Sequence, residues 1–306
     1  MVSTLTPATV DAAATVDRPR RRRRNPYPLW FFAIPAVLFI VFFAIPTFSS
    51  FYFSLTRWTL QTTQFIGLEN FVLFFNEPTL VSGFIHTFIY AFLTSGAKVV
   101  LGILLARLLT SQIIGRGYLR SVVFFPVLVS TIGVGLTFKI LMDPFNGLIN
   151  KTLALVGITG PGWLTDPNLA LYSVILVDIW KGVGIATLIF IAGMVGIPQE
   201  YYEAAKVDGS SGRQMFFNIT LPLLKPATIT VVTLSLIGGL RSFDLIWAMT
   251  KGGPGFTSDV IASVIYKQYQ AGFYGLSTAG NVVLFLVVTA IIVPMSIFLN
   301  RPEAKR

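Results

Sequence analysis

Apolar residues in this chain collect in six long, almost unbroken stretches, at 29–53, 84–109, 122–142, 169–197, 223–249 and 275–299. About 20 residues of helix cross the hydrocarbon core of a bilayer, and each stretch reaches or nearly reaches that length. Strands of a membrane barrel would instead alternate apolar and polar residues over about 10 positions. The pattern therefore predicts an all-α integral membrane protein with six transmembrane helices, which puts the N- and C-termini on the same side.

Between the stretches lie four informative connections. "RWTLQTTQFIGLENFVLFFNEPTLVSG", starting at Arg57, is long and aromatic and predicts a short interfacial helix near 68–75. "LTSQIIGRGYLR", at 109–120, is short and basic. "DPFNGLINKTLALVGITGPGWLTDPN", starting at Asp143, is rich in Gly, Pro and Asn, as expected of an outer loop. The fourth, at 198–222, reads "PQEYYEAAKVDGSSGRQMFFNITLP". Pro198 suits a helix start, and good helix formers follow it. Gly209 supplies a stop or sharp bend because it has no Cβ. "GRQMFFNITLP" predicts a second short helix ending before Pro222, with Met215, Phe216 and Ile219 on one apolar face. Residues alone leave two readings open for this helix–Gly–helix hairpin: an ordinary amphipathic loop, or a docking surface for a soluble partner.

Composition agrees with a lipid solvent. Of the 306 residues 54% are apolar and 12% charged, whereas a soluble domain carries about 25% charged residues. The net charge of +10 invites a nucleic-acid reading, but its distribution points elsewhere. With cytoplasmic termini, fifteen of the 23 Lys and Arg fall on the inner side and five on the outer. This is the positive-inside bias, so no nucleic-acid partner is needed. Residues 1–24, ending in "RPRRRRR", read as a disordered basic cytoplasmic tail that fixes orientation. The apolar run after it is longer than the core of an export signal, and no A-x-A site follows. Residues 25–300 read as a six-span membrane domain and 301–306 as a second cytoplasmic tail. The chain has no cysteine, so disulfides and thiolate metal sites are excluded.

Five charges lie well inside the stretches, away from their ends: Lys98, Asp178, Lys181, Arg241 and Asp244. A charge at the bilayer centre costs about 2.5–3.5 kcal/mol on insertion scales, so these side chains face the protein interior or an aqueous path. Asp178 with Lys181, and Arg241 with Asp244, stand three residues apart on one helix face, so each pair can neutralise itself. His86, near an outer helix end, reads as an interfacial or packing residue, and Tyr52, Trp58, Tyr266 and Tyr269 fit an interfacial belt. No phosphate-binding G-x-x-x-x-G-K-[ST] loop is present. Neither a metal-ligand nor a nucleophile constellation is evident, so no catalytic residue and no metal site are expected.

"EAAKVDGSSGRQMFFNITLP" resembles the EAA signature of ABC importer permeases, with Glu203, Ala204, Ala205, Asp208, Gly209, Ile219, Leu221 and Pro222 in register. "FIGLENF", "DPFNGLIN", "GWLTDPNLAL", "FDLIWAMTKGGPGFTSDV" and "FYGLSTAGNVVLF" resemble the carbohydrate-uptake branch of that family, related to the maltose and glycerol-phosphate systems. One departure is "STAG", where many relatives have a simpler "SA" pair.

The resemblance implies a multi-pass subunit of a prokaryotic cell membrane that works with four kinds of partner. These are a second homologous permease, a cytoplasmic ATPase dimer that holds ATP and Mg, an extracytoplasmic solute-binding protein and membrane lipid. It implies no cofactor on this chain. The EAA helix, with Glu203, Ala204, Ala205, Asp208 and Gly209, would seat in the ATPase and transmit its closure. Matched motif by motif, Val127, Thr131, Trp180, Lys181, Gly182, Ile185, Ser235, Gly239 and Ser242 would border the sugar path. Two rivals stand: an ABC importer of another small solute (amino acid, peptide or polyamine), and an ion-coupled secondary carrier. The carrier is disfavoured because no inverted pair of interrupted spans is visible.

Overall fold

A computed structural model of the protein describes residues 29–299. The chain divides into two compact units, residues 1–46 and 47–306. In the first, the described residues form the leading part of the apolar helix α1 (Trp30–Ser54), which contains a π-helical turn at Ile40–Ala44. The side chains at 30–43 are exposed, with Phe42 at 75%, which suits hydrocarbon rather than water.

The second unit is mostly helical. After α1 come a two-stranded hairpin, β1 (Thr56–Trp58) and β2 (Thr63–Phe65), and helix α2 (Glu69–Asn76). The strands are antiparallel, pairing Thr56 with Phe65 and Trp58 with Thr63. Then follow α3 (Pro78–Thr110), α4 (Arg116–Leu128), α5 (Thr131–Leu141), α6 (Leu148–Leu155) and α7 (Ala170–Val195). The short helix α8 (Gln199–Val207) precedes α9 (Gly212–Leu223), and α10 (Lys225–Leu240), α11 (Asp244–Met249), α12 (Ile261–Gln270) and α13 (Tyr274–Leu299) complete the unit.

Among the described residues four helices are long and apolar enough to cross a bilayer: α1, α3, α7 and α13. Up to six spans result if two bent pairs each count as one. The predicted third span is broken: α4 and α5 meet at 98° around Val129 and Ser130. Extended backbone at Val129 (ψ 140°) ends α4 there. The predicted fifth span begins at Lys225 rather than 223 and stops at Leu240, because Met249 belongs to the separate helix α11. The β-hairpin was absent from the sequence reading, since three-residue strands give no usable alternation. The predicted helix near 68–75 forms one residue later. Asn70 anchors it, donating from Nδ2 to the carbonyls of Ser54 and Thr56 at 2.9 Å each.

Small residues set the packing. A Cβ on Gly239 would lie 2.7 Å from Ala91 Cα, so α10 meets α3 backbone to backbone. Gly102 of α3 and Ala186 of α7 meet likewise. Without a hydrophobic drive between helices in lipid, such close approach is what holds them. Gly135 of α5 is buried against Ala248, Leu245 and Met249 of α11. Gly135→Val is expected to destabilise this contact by about 1–3 kcal/mol, as overpacking does. A lowered thermal midpoint in detergent measures it, and an unchanged midpoint contradicts the packing.

The loop after α11, "TKGGPGFTSD", is organised by a buried anion. Asp259 is fully buried; its Oδ1 accepts from Ser263 Oγ at 2.7 Å and its Oδ2 from Lys267 Nζ at 2.5 Å. Burial holds its carboxyl above the usual carboxylate range, against the pull of the Lys267 and Ser263 hydrogen bonds. His86 Nδ1 lies 3.0 Å from the Asp259 carbonyl, and the Ile261 amide donates to Thr87 Oγ1 at 2.8 Å, so α3 clips this loop and α12. His86 is thus a packing residue.

Candidate functional site

Two sets of side chains stand out, one at the α8–α9 hairpin and one inside the bundle. In the hairpin, α8 ends in left-handed backbone at Gly209 (φ +76°). The Ser210 amide donates to the Ala205 carbonyl at 2.9 Å and the Gly209 amide to that of Lys206 at 3.1 Å. This pair of bonds is a Schellman cap, which satisfies carbonyls the helix end would otherwise leave open. Two residues later Ser211 and Gln214 form a reciprocal capping box: the Gln214 amide donates to Ser211 Oγ, and the Ser211 amide to Gln214 Oε1 at 2.7 Å. One helix is sealed and the next opened within three residues, so the turn is stiff.

The second arm does not end before Pro222 as its composition suggests. A π turn at Phe216–Thr220 carries it through to Leu223, and a 64° bend then leads into α10. Pro222, which has no N–H, directly follows the last bond of that π turn, from the Leu221 amide to the Phe216 carbonyl. Tyr202 and Thr220 hydroxyls, 2.9 Å apart, tie the two arms together. Arg107, near the C-terminal end of α3, stacks its guanidinium 4.4 Å from the Phe216 ring centre. The hairpin is thereby fastened to the bundle.

Glu203, Ala204, Asp208 and Gly209 are exposed along this hairpin, whereas Ala205 is buried at 8%. Of the two alanines in the segment expected to seat in the ATPase, Ala204 is open and Ala205 is turned inward. Successive helix positions point about 100° apart, so only Ala204 shares the open side with Glu203.

Inside the bundle, the self-neutralising pairs proposed from spacing do not form. Among the described residues neither Asp178 with Lys181 nor Arg241 with Asp244 makes an ion pair. Lys98 of α3 instead donates from Nζ to Asp178 Oδ2 of α7 at 2.5 Å. Their side chains are 10% and 22% exposed. Gly182, one turn beyond Asp178, makes room: a Cβ there would sit 2.8 Å from Lys98 Nζ. Arg241 and Asp244 are exposed, since α10 stops at Leu240 and a new helix starts at Asp244.

The ion pair borders a cleft of about 180 Å³ that Gly182, Ile185, Ser235 and Gly238 also line. Three residues of the family-derived path, Gly182, Ile185 and Ser235, are therefore brought together. The others are placed elsewhere. Val127 packs on α7, 3.0 Å from where a Gly184 Cβ would be, and Trp180 stacks edge-on against Phe138 of α5 at 5.2 Å. Gly239 is buried under Ala91, Lys181 is half-buried outside the cleft, and Thr131 begins α5 beyond the 98° break. Ser242 neighbours Tyr90, whose fully buried Oη has no hydrogen-bond partner of ordinary geometry. Tyr90 and Gly238 were not singled out from the sequence: one is an aromatic in an oily run, the other a glycine beside Gly239.

The family model described as "Binding-protein-dependent transport system inner membrane component" matches residues 27–301. The chain is 34% identical to the trehalose/maltose transport system permease protein MalF of Thermococcus litoralis, over 81% of this chain and 85% of that one. It is 33% identical to the arabinooligosaccharides transport system permease protein AraP of Bacillus subtilis, over 86% of this chain and 85% of the relative. Among solved structures, a chain of a bacterial ABC transporter that imports the acidic polysaccharide alginate shares the fold. It matches with TM-score 0.79 and 24% identity over 90% of this chain and 96% of that one.

Proposed function

Because the chain belongs to the binding-protein-dependent transport system inner membrane component family, we propose that it is the permease subunit of an ATP-driven sugar importer of a prokaryotic cell membrane. Relatives named for trehalose/maltose and arabinooligosaccharide transport support the sugar class. In this reading the chain crosses the membrane six times with both ends in the cytoplasm. A second, homologous permease completes the path, a cytoplasmic ATPase dimer supplies the ATP and Mg chemistry, and an external solute-binding protein delivers the sugar.

The observation that carries the reading is the doubly capped hairpin. A lever must be short, stiff and joined to what it moves. Here the joint is Tyr202 to Thr220 and Arg107 over Phe216, and the open face presents Glu203, Ala204 and Asp208. Closure of the ATPase would push that face, and the π turn and 64° bend would pass the motion to α10. This is a rigid-body transition between two packed arrangements. The chain's role is transport, with hydrolysis left to its partner.

The test is reconstitution of the complex in proteoliposomes. ATP-dependent sugar uptake and ATPase stimulation by a sugar-loaded binding protein are expected. Stimulation only by amino-acid-loaded proteins overturns the sugar class, and uptake by this chain without any ATPase overturns the importer. A narrower prediction concerns the contact itself. Glu203→Lys is expected to lower uptake about 30-fold, the effect of losing an interface contact worth about 2 kcal/mol. Expression and membrane insertion should stay normal, and equal uptake removes Glu203 from the contact.

A further inference from the structure

We propose that the cavity between the C-terminal ends of α3 and α7 and the α8–α9 hairpin is a binding site for an anionic phospholipid, with Arg107 holding its phosphate. The site lies apart from the open face of the hairpin that the importer reading gives to the ATPase.

The cavity measures about 490 Å³, within the roughly 300–1,000 Å³ of small-molecule sites. Its depth in the membrane follows from the helices that build it. Helix α3 ends at Thr110 and α7 at Val195, and both are long and apolar enough to cross a bilayer. Leu108, next to Arg107, is 50% exposed, and Val195, in the cavity wall, is 73% exposed, which suits lipid rather than water. The cavity therefore stands where hydrocarbon gives way to headgroups.

Among the described residues that line it, Arg107 alone is charged. Its guanidinium makes no ion pair and no hydrogen bond among the described residues. It is held over the Phe216 ring, 4.4 Å from the ring centre. Stacking on an aromatic face uses none of the five N–H donors, so they remain for an anion. A phosphate takes two of them in a bidentate pair. Met194, Met215 and Val195 supply an adaptable apolar wall for the first methylenes of the acyl chains.

The headgroup class follows from the lining. A phosphoethanolamine or phosphocholine group carries a cation beside its phosphate, and no carboxylate among the described lining residues would receive it. Glu200 and Glu203 of α8 are exposed outside the lining. A phosphoglycerol group carries hydroxyls instead. The Gln199 side chain, without a hydrogen bond among the described residues, can both donate to and accept from a hydroxyl, and Tyr202 lines the same cavity. A soluble phosphate ester would share Arg107 but leave the apolar wall uncovered.

The experiment takes the full-length chain, with the subunits that co-purify with it, in detergent micelles holding equal amounts of palmitoyl-oleoyl phosphatidylglycerol and phosphatidylethanolamine. Native mass spectrometry counts the retained lipid. Wild type is expected to keep phosphatidylglycerol about tenfold more often than phosphatidylethanolamine, the worth of one charge-assisted hydrogen bond. Equal retention of the two overturns the proposal. Arg107→Gln is expected to lose the preference. Arg116→Gln removes the same charge at an exposed position outside the lining and should bind as wild type does. An equal loss in both variants would mean diffuse attraction to a basic surface and refutes the site. Because Arg107 also fastens the hairpin, Gln199→Leu, which leaves the stack on Phe216 untouched, is the second variant. It is expected to lower phosphatidylglycerol retention about fivefold, the worth of a neutral hydrogen bond. Unchanged retention there refutes the headgroup assignment even where Arg107→Gln fails to fold. Release of the lipid by excess sn-glycerol 3-phosphate would give the cavity to a soluble phosphate ester and overturns the lipid. None of these measurements depends on transport, so their failure leaves the importer reading standing, and absence of ATP-dependent uptake leaves the lipid site standing.

Discussion

Gly209→Val should leave the protein in the membrane and stop it from transporting. The site has no steric obstacle, since nothing lies within 4 Å of a Cβ built there. The cost is in the backbone. Left-handed conformation costs an L-residue about 1–2 kcal/mol, and a β-branched side chain is a genuine outlier there. Valine would therefore give up φ +76°, and with it the two amide bonds from Gly209 and Ser210 that seal α8. The capping box at Ser211 and Gln214 would lose its fixed approach, and the hairpin would become a loose loop instead of a lever. About 2 kcal/mol withdrawn from the geometry that couples two subunits corresponds to about a 30-fold loss of ATP-driven uptake. Gly209→Asn makes the informative comparison. Asparagine enters the left-handed region readily, so it should retain most uptake. Equal loss in both variants would mean that the side chain, not the turn, matters, and normal uptake by the valine variant would sink the lever account.

The second large effect lies in the bundle. Lys98→Met is expected to destabilise the protein by about 3–5 kcal/mol, because it leaves Asp178 as an unpaired charge in a low-dielectric setting. A fall in the detergent unfolding midpoint and in membrane yield would report it. Adding Asp178→Asn should recover most of that stability, since exchanging both members of a buried pair for neutral groups is often close to neutral. Non-additivity is the signature of coupling: if the two losses simply add, the residues are not coupled and the 2.5 Å contact is not what holds α3 to α7.

How far the sequence could be read follows the range of each interaction. Helix α8, its stop at Gly209 and the short helix before Pro78 were legible because propensity, caps and glycine conformation act over a few residues. The Ser211–Gln214 capping box is as local; its S-x-x-Q spacing was readable and was passed over. Continuation of α9 through Pro222 was not legible, because a π turn has no composition of its own. The same holds for the broken third stretch. Hydropathy counts apolar residues and is blind to a 98° change of direction at Val129 and Ser130.

Chain order alone settled that this is a helical membrane protein with a capped polar hairpin between apolar stretches, since those features depend on neighbours and on transfer from water. Which charges meet was decided only in three dimensions. Asp178 sits three residues from Lys181 but bonds Lys98, eighty residues away, because the side facing α3 is where Gly182 leaves space for an ammonium. A sequence spacing says which groups share a helix face, while the partner of a buried charge is set by what the opposing helix presents at that depth.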